Sequence, residues 1–131
     1  MRYVVGVVIG LFTVMQYASA QTYPARTVRL VVPFPPGGSA DALARPLAER
    51  LSAELSQPVI VDNRGGGNTV IGADIVAKSA PDGYTLYLMP GAHVLSKHLM
   101  KNVPYHPIRD FSPVSMIVTT PYVIFSGTNY P

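Results

Sequence analysis

From residue 28 onward the apolar positions fall into short blocks punctuated by glycine and proline. Val28 to Phe34 is a β-branched and apolar run closed by Pro33, Pro35, Pro36 and the pair Gly37-Gly38. It predicts a buried strand entering a tight loop. Ser39 then offers a hydroxyl N-cap and Asp41 a first-turn carboxylate, while Leu43, Leu47, Leu51 and Leu55 recur every fourth residue. That spacing predicts an amphipathic helix with its start signal in place. Pro46 conflicts with it, because an interior proline removes a helical bond and clashes with the preceding turn; a kink or a later start is expected.

The design repeats. Pro58 to Asp62 predicts a short strand, Asn63 to Asn68 a glycine-rich loop, and Val70 to Ala80 a helix. Pro81-Asp82-Gly83 is a turn, Tyr84 to Met89 a third strand, and Pro90-Gly91 opens a loop into a helix from Ala92 to Met100. Alternation of this kind implies an α/β fold, a mostly parallel sheet with flanking helices. Beyond Met100 the pattern changes: Asp110-Phe111-Ser112-Pro113 forms a corner, and Val114 to Val118 and Tyr122 to Phe125 predict two further strands. A final strand with no helix behind it would leave an open sheet edge, so a further C-terminal portion is expected.

The N-terminus reads differently. Met1-Arg2 supplies a positive end, Val4 to Met15 is almost wholly apolar, and Ala18-Ser19-Ala20 is a small-x-small cleavage pattern. Residues 1–20 are therefore expected to be a signal peptide directing export to the periplasm. The apolar stretch is shorter than the roughly 20 residues a bilayer requires, so no membrane span should remain after cleavage.

Charge changes the picture little. Cleavage would remove Arg2 from the ten basic residues and leave nine against seven acidic ones. The nine are dispersed, with no basic run or stripe, which argues against nucleic acid as a partner. The absence of cysteine excludes disulfides, thiolate metal sites and cysteine nucleophiles. The thirteen prolines and eleven glycines mostly separate apolar blocks, so they punctuate a fold rather than form a linker.

In a parallel α/β sheet the loops leaving the carboxyl ends of the strands gather at one edge, where helix N-termini present unpaired N–H groups. Such a place suits anions. Gly37 and Gly38 would let a ligand approach the backbone, and Ser39 adds a donor beside the helix. Gly65, Gly66 and Gly67 would serve similarly at the second loop. Each cluster alone is equally well explained by tight turns; two of them before successive helices favour binding. Asp41 would repel an anion at contact, so its role is to orient the loop or a bridging water, or simply to sit against the helix dipole. Arg64 could reach a carboxylate, although a solvated arginine is the commoner situation.

Several chemistries are disfavoured. The spacing Gly37-Gly38-Ser39-Ala40-Asp41 is not G-x-G-x-x-G, and no G-K-S/T follows either glycine cluster, so no nucleotide cofactor is expected. His93, His98 and His106 lack a metal-ligand spacing. Only His93, just after the third strand, falls where a binding loop belongs. No G-x-S-x-G and no paired nucleophile and base are present, so no catalytic residues are assigned.

Several blocks carry a family resemblance. Tyr23-Pro24, the run from Arg29 to Asp41, Gln57 to Arg64, Pro81 to Leu86, and Tyr105 with Asp110 to Val114 closely resemble the tripartite tricarboxylate transporter receptors, the Bug-type extracytoplasmic solute-binding proteins. The blocks occur in order along essentially the whole mature chain. The resemblance implies the first lobe of a type II periplasmic binding protein, over residues 21–121. Residues 122–131 would begin the hinge strand toward a second lobe. It further implies a receptor that closes on a small organic carboxylate and delivers it to a two-subunit membrane permease. The ligand loops would be Phe34 to Asp41 and Asn63 to Gly72, with Gly91 to His93 as a third contributor.

The residues expected to bind are accordingly Phe34, Gly37, Gly38, Ser39, Asp41, Gly66, Gly67, Asn68, Thr69, Gly72, Ala92 and His93. Asn68-Thr69, Ser56 and His106 depart from the family pattern, the first at the second loop itself. Two other readings stay open: an enzyme that binds an anionic substrate at the glycine loops, with Ser39, Asp41 and His93 as its only reactive groups, and a secreted interaction module that binds no small ligand. Relatives of this kind continue well past residue 131, and a single lobe is expected to bind weakly.

Overall fold

The computed structural model describes residues 22–121 and 123–127. The expected signal peptide, residues 1–20, lies outside the described residues, as do Tyr122 and residues 128–131 of the expected hinge strand.

Strand β1 (Val28–Val32) is the middle of a three-stranded parallel sheet of order β2-β1-β3. It pairs on one side with β2 (Val59–Asn63) and on the other with β3 (Thr85–Tyr87), with Leu30 opposite Val61 and Leu86 respectively. A strand flanked on both edges and covered on both faces must be apolar at nearly every position. Val28, Val31 and Val32 are fully buried and Leu30 nearly so. Each such side chain contributes about 1.5–3 kcal/mol of burial, which makes β1 the organising element.

Helix α1 (Ser39–Leu55) covers one face. Its fully buried positions are Asp41, Ala44 and Ala48, while Leu47, Leu51 and Leu55 pack as half-buried flanks against the Val28, Leu30 and Val32 face. Small residues thus form the seam where the helix meets the sheet, and the leucine stripe read from the sequence closes its sides. The helix runs through Pro46 without a later start. Pro46 and Ala42, whose carbonyl loses its partner, are both exposed, so water can satisfy that oxygen.

Helix α2 (Val70–Ala77) packs on β1 and β3. A Cβ on its Gly72 would stand 3.1 Å from Cβ of Pro33, the residue that follows β1. The helix ends three residues earlier than expected, where Lys78 N–H bonds back to the Asp74 carbonyl and the Ser79 hydroxyl donates to the Val76 carbonyl. The predicted helix over 92–100 divides into a 3₁₀ turn (Gly91–Leu95) and a single turn of α-helix, α3 (Ser96–Leu99). His93 in the first piece and Ser96 at the start of the second are both buried.

The expected strands at Val114 to Val118 and Tyr122 to Phe125 are not strands in the described residues. Val114, Met116, Val118, Ile124 and Phe125 are largely exposed along this stretch. Their β-branched and aromatic composition favours a pleated, half-covered surface, and no neighbouring strand supplies one here. At the opposite end the sequence blocks around Tyr23 and Pro81 meet: the Tyr23 hydroxyl donates to the Gly83 carbonyl at 2.7 Å.

Candidate functional site

Because all three strands run the same way, the segments after Val32, Asn63 and Tyr87 emerge at one edge of the sheet. The first, Pro33 to Gly38, enters α1 with Gly38 as N-cap. Ser39 was expected to cap the helix; it is instead the first helical residue, and no side chain caps this end. The amides of the first turn therefore lack the usual capping acceptor at the positive end of a seventeen-residue helix. Gly38 has extended backbone, and nothing lies nearer than 3.8 Å to where its Cβ would be; around Gly37 the space is open. A ligand oxygen can reach these amides.

Asp41 fixes the loop from beneath. Its carboxylate is nearly buried and accepts from the Gly37 N–H at 3.0 Å, from Arg45 Nε at 2.8 Å and Nη2 at 3.1 Å, and from Asn63 Nδ2 at 3.0 Å. The Arg45 bond, then the Gly37 N–H, hold its pKa down to about 2 against the opposing effect of burial. Asp41 is thus a charged brace whose lone pairs are used and whose charge is matched by Arg45. It holds the loop through the Gly37 N–H and is tied to Arg45 and Asn63.

Asn63, at the end of β2, joins the two loops by donating also to the Phe34 carbonyl at 3.1 Å. Phe34 itself is half-buried against the core beneath, so its contribution at this edge is that carbonyl. The loops also touch directly: a Cβ on Gly65 would sit 3.2 Å from Pro35 Cδ and Pro35 N. Gly66, Gly67, Asn68 and Thr69 all have positive φ, at 121°, 54°, 48° and 75°. Thr69 is β-branched and buried, so this conformation costs about 1–3 kcal/mol and persists because the surroundings impose it. Gly67 and Asn68 are exposed, while Gly72 is buried in the first turn of α2, where a Cβ would meet the Arg64 carbonyl at 2.9 Å.

Arg64 is not free to reach out. Its Nε bonds to both Asp62 oxygens, at 2.9 and 3.1 Å, and Asp62 also accepts from Arg29 Nε at 2.6 Å. Desolvation raises the Asp62 pKa, but these two arginines outweigh it and the net shift is downward.

At the third segment Ala92 is exposed and His93 wholly buried. The imidazole stacks on Tyr105, with ring centroids 5.3 Å apart, and meets the edges of Tyr87 and Phe111. No hydrogen bond joins Ser39 to Asp41 or His93 among the described residues, and no group of three metal-ligating side chains is present among them. No described helix is long and apolar enough to cross a membrane. A shallow groove of about 390 Å³ lies along the flank between Arg45 and Val61, and it includes none of the loop residues.

Residues 43–131 match the sequence pattern of the tripartite tricarboxylate transporter family receptor. The chain belongs to that receptor family. Protein BugT of Bordetella pertussis is 47% identical over 126 residues, which cover 95% of this chain and 39% of BugT. The periplasmic binding protein BugD superposes with a TM-score of 0.66 at 43% identity, over 70% of this chain and 30% of its own. MatC of Rhodopseudomonas palustris, solved with bound malate, gives a TM-score of 0.64 at 39% identity, over 70% of this chain and 32% of its own. A second R. palustris protein, Rpa4515 with adipate, gives 0.61 at 43% identity, over 65% of this chain and 29% of its own. The fold is therefore that of the first lobe of periplasmic binding proteins, as the sequence resemblance implied. The chain spans about two fifths of the length of the curated relatives it matches.

Of the residues expected at the site, Gly37, Gly38, Ser39, Gly66, Gly67 and Asn68 share the exposed carboxyl edge of the sheet. Asp41, Thr69, Gly72 and His93 lie beneath it as buried supports. Sequence reasoning put Asn63 in the second loop without its bridging role, and it missed Arg45. The spacing of Asp41 and Arg45, four apart on a helix, was a usable signal for the latter. Nothing local marks Asn63.

Proposed function

We propose that this chain provides the carboxylate-binding face of a periplasmic solute receptor. The observation that carries this reading is the uncapped N-terminus of α1 beside Gly37 and Gly38, open to solvent and braced by Asp41 and Asn63. An oxyanion there accepts from backbone N–H groups at the positive end of a helix, an arrangement that costs no reorganisation. Exposed amides of the second loop, at Gly67 and Asn68, lie on the same edge and give a small organic acid a second point of attachment. The malate and adipate bound by its structural relatives are acids of this class.

Delivery to a two-subunit membrane permease, export to the periplasm through residues 1–20, and the place of this lobe in a longer two-lobed parent belong to the same proposal. Charge-assisted hydrogen bonds contribute about 1.5–3 kcal/mol each, against an association cost of about 4–15 kcal/mol. A few bonds from one lobe therefore give weak binding.

The test is calorimetric titration of the chain with malate, adipate and citrate, beside Gly38→Val. Val fits the extended backbone at this position and covers the amides. Millimolar binding that Gly38→Val abolishes supports the reading. Binding that survives the substitution places the ligand elsewhere and refutes it.

A further inference from the structure

Residues 90–100 follow β3 and present Gly91 and Ala92 at the sheet edge, yet they have little hold on the rest of the protein. Their backbone bonds are local: His93 N–H to the Pro90 carbonyl and Met100 N–H to the Ser96 carbonyl. Among the described residues one hydrogen bond leaves this segment, from the His93 ring to the Pro107 carbonyl at 3.1 Å. The receiving segment is equally self-contained. Ile108 and Arg109 N–H groups bond to His106 Nδ1, and His106 N–H to Asp110. Two locally built turns are thus joined through one imidazole.

A carbonyl only accepts, so Nε2 of His93 must carry the proton. Nδ1 then holds a lone pair when the ring is neutral, and it is buried with no partner among the described residues. The groups facing the ring are Tyr87 of β3, Tyr105 and Phe111 of the corner, and the Pro107 carbonyl. The titratable ones are phenols. Burial pushes the imidazole pKa down and outweighs the Pro107 bond, and no charged side chain acts on it. A second proton would place a cation with an unpaired N–H inside an aromatic cluster, which local opening relieves.

We propose that His93 is the positioning residue of the third loop, a neutral Nε2–H imidazole that ties Gly91 and Ala92 to the 105–111 corner and releases them when protonated. Its role as part of a ligand site rests on the receptor reading above; the tie itself does not. The ring touches no ligand in this scheme. It acts through where it holds the backbone.

Nitrogen-15 NMR of the full chain tests this without any ligand, so a failure of carboxylate binding and a failure of the tie are read separately. The expected ring signature is the Nε2–H tautomer with a titration midpoint below about 6.5, the ordinary histidine value. The Gly91 and Ala92 amides should shift with that midpoint while those of Gly37 and Gly38 do not. In His93→Gln the side-chain amide can still donate to Pro107, so the Gly91 and Ala92 signals keep their neutral-pH positions and lose their pH response. In His93→Phe, which keeps an aromatic ring without the donor, exchange of the Met100 amide, bonded to the Ser96 carbonyl, should accelerate about three- to tenfold. If the Phe variant does not fold, the wild-type titration and the Gln variant decide. An Nδ1–H ring, a midpoint at or above 6.5, or Gly91 and Ala92 amides indifferent to pH and to substitution would overturn the proposal.

Discussion

Replacing Gly72 by alanine sets two effects of known size against each other. In a helix interior alanine is favoured over glycine by about 0.8–1 kcal/mol, an upper bound for Gly72 in the first turn of α2. Gly72, however, is where α2 rests on the end of β1: the new Cβ would lie 2.9 Å from the Arg64 carbonyl and 3.1–3.2 Å from Pro33. The oxygen and the Pro33 Cα belong to backbone and cannot rotate away, so α2 must move outward by a few tenths of an ångström. Overpacking of this kind costs about 1–3 kcal/mol. The net expectation is a loss of about 1 kcal/mol, or about 4–8 °C in Tm for a domain of this size. Thermal unfolding followed by circular dichroism, with urea titration to separate changes in midpoint from changes in slope, measures it. An unchanged or raised Tm would show that helix propensity decides here and that α2 is not seated as closely as described.

Gly38→Ser should stabilise α1 by a few tenths of a kcal/mol, because a hydroxyl at the N-cap can accept from the first-turn amides. The same hydroxyl occupies the place proposed for a ligand oxygen, so stability should rise while malate affinity falls; a rise in both would argue against that site. Asn63→Ala removes the donors to the Phe34 carbonyl and to Asp41. It should cost about 1–3 kcal/mol in urea unfolding, and a silent substitution would mean that the loops do not depend on this bridge. Asp41 binds its proton less readily when folded, with a pKa of about 2 against 3.8 in the free side chain. Its contribution is therefore complete above about pH 4 and is lost as pH falls toward 2. Urea midpoints across that window should flatten in Asp41→Asn, and an undiminished slope would assign the acid sensitivity to other carboxylates.

The strand, glycine loop and helix units were legible because each rests on local signals: a β-branched run, a glycine break, then apolar positions at helical spacing. That reading placed β1, α1, β2 and α2 within a few residues of their observed ends. It also selected the two loops that share the sheet edge. What it could not reach were contacts made across the chain. Asn63 lies 29 residues from Phe34 and 22 from Asp41, and no periodicity announces such a bridge. His93 looked like a loop residue because it follows β3, and it became a buried support because Tyr105 and Phe111, further on, close over it. The segment from Val114 carries every local mark of a strand, yet a strand exists only when a second backbone pairs with it. Ser39 carried a capping signal that the backbone passed over in favour of Gly38, one residue earlier.

The contact of Gly65 with Pro35, together with the reach of Asn63 to Phe34, makes the first two loops a single mechanical part. If these loops hold the ligand as proposed, selectivity cannot be rewritten one loop at a time. A bulkier residue at Gly65 would displace Pro35 and with it the amides at Gly37 and Gly38. On the proposed site, a new specificity would be transplanted by moving residues 33–41 and 63–72 together, as one cassette anchored on adjacent strands. The core beneath them, centred on β1, can stay as it is.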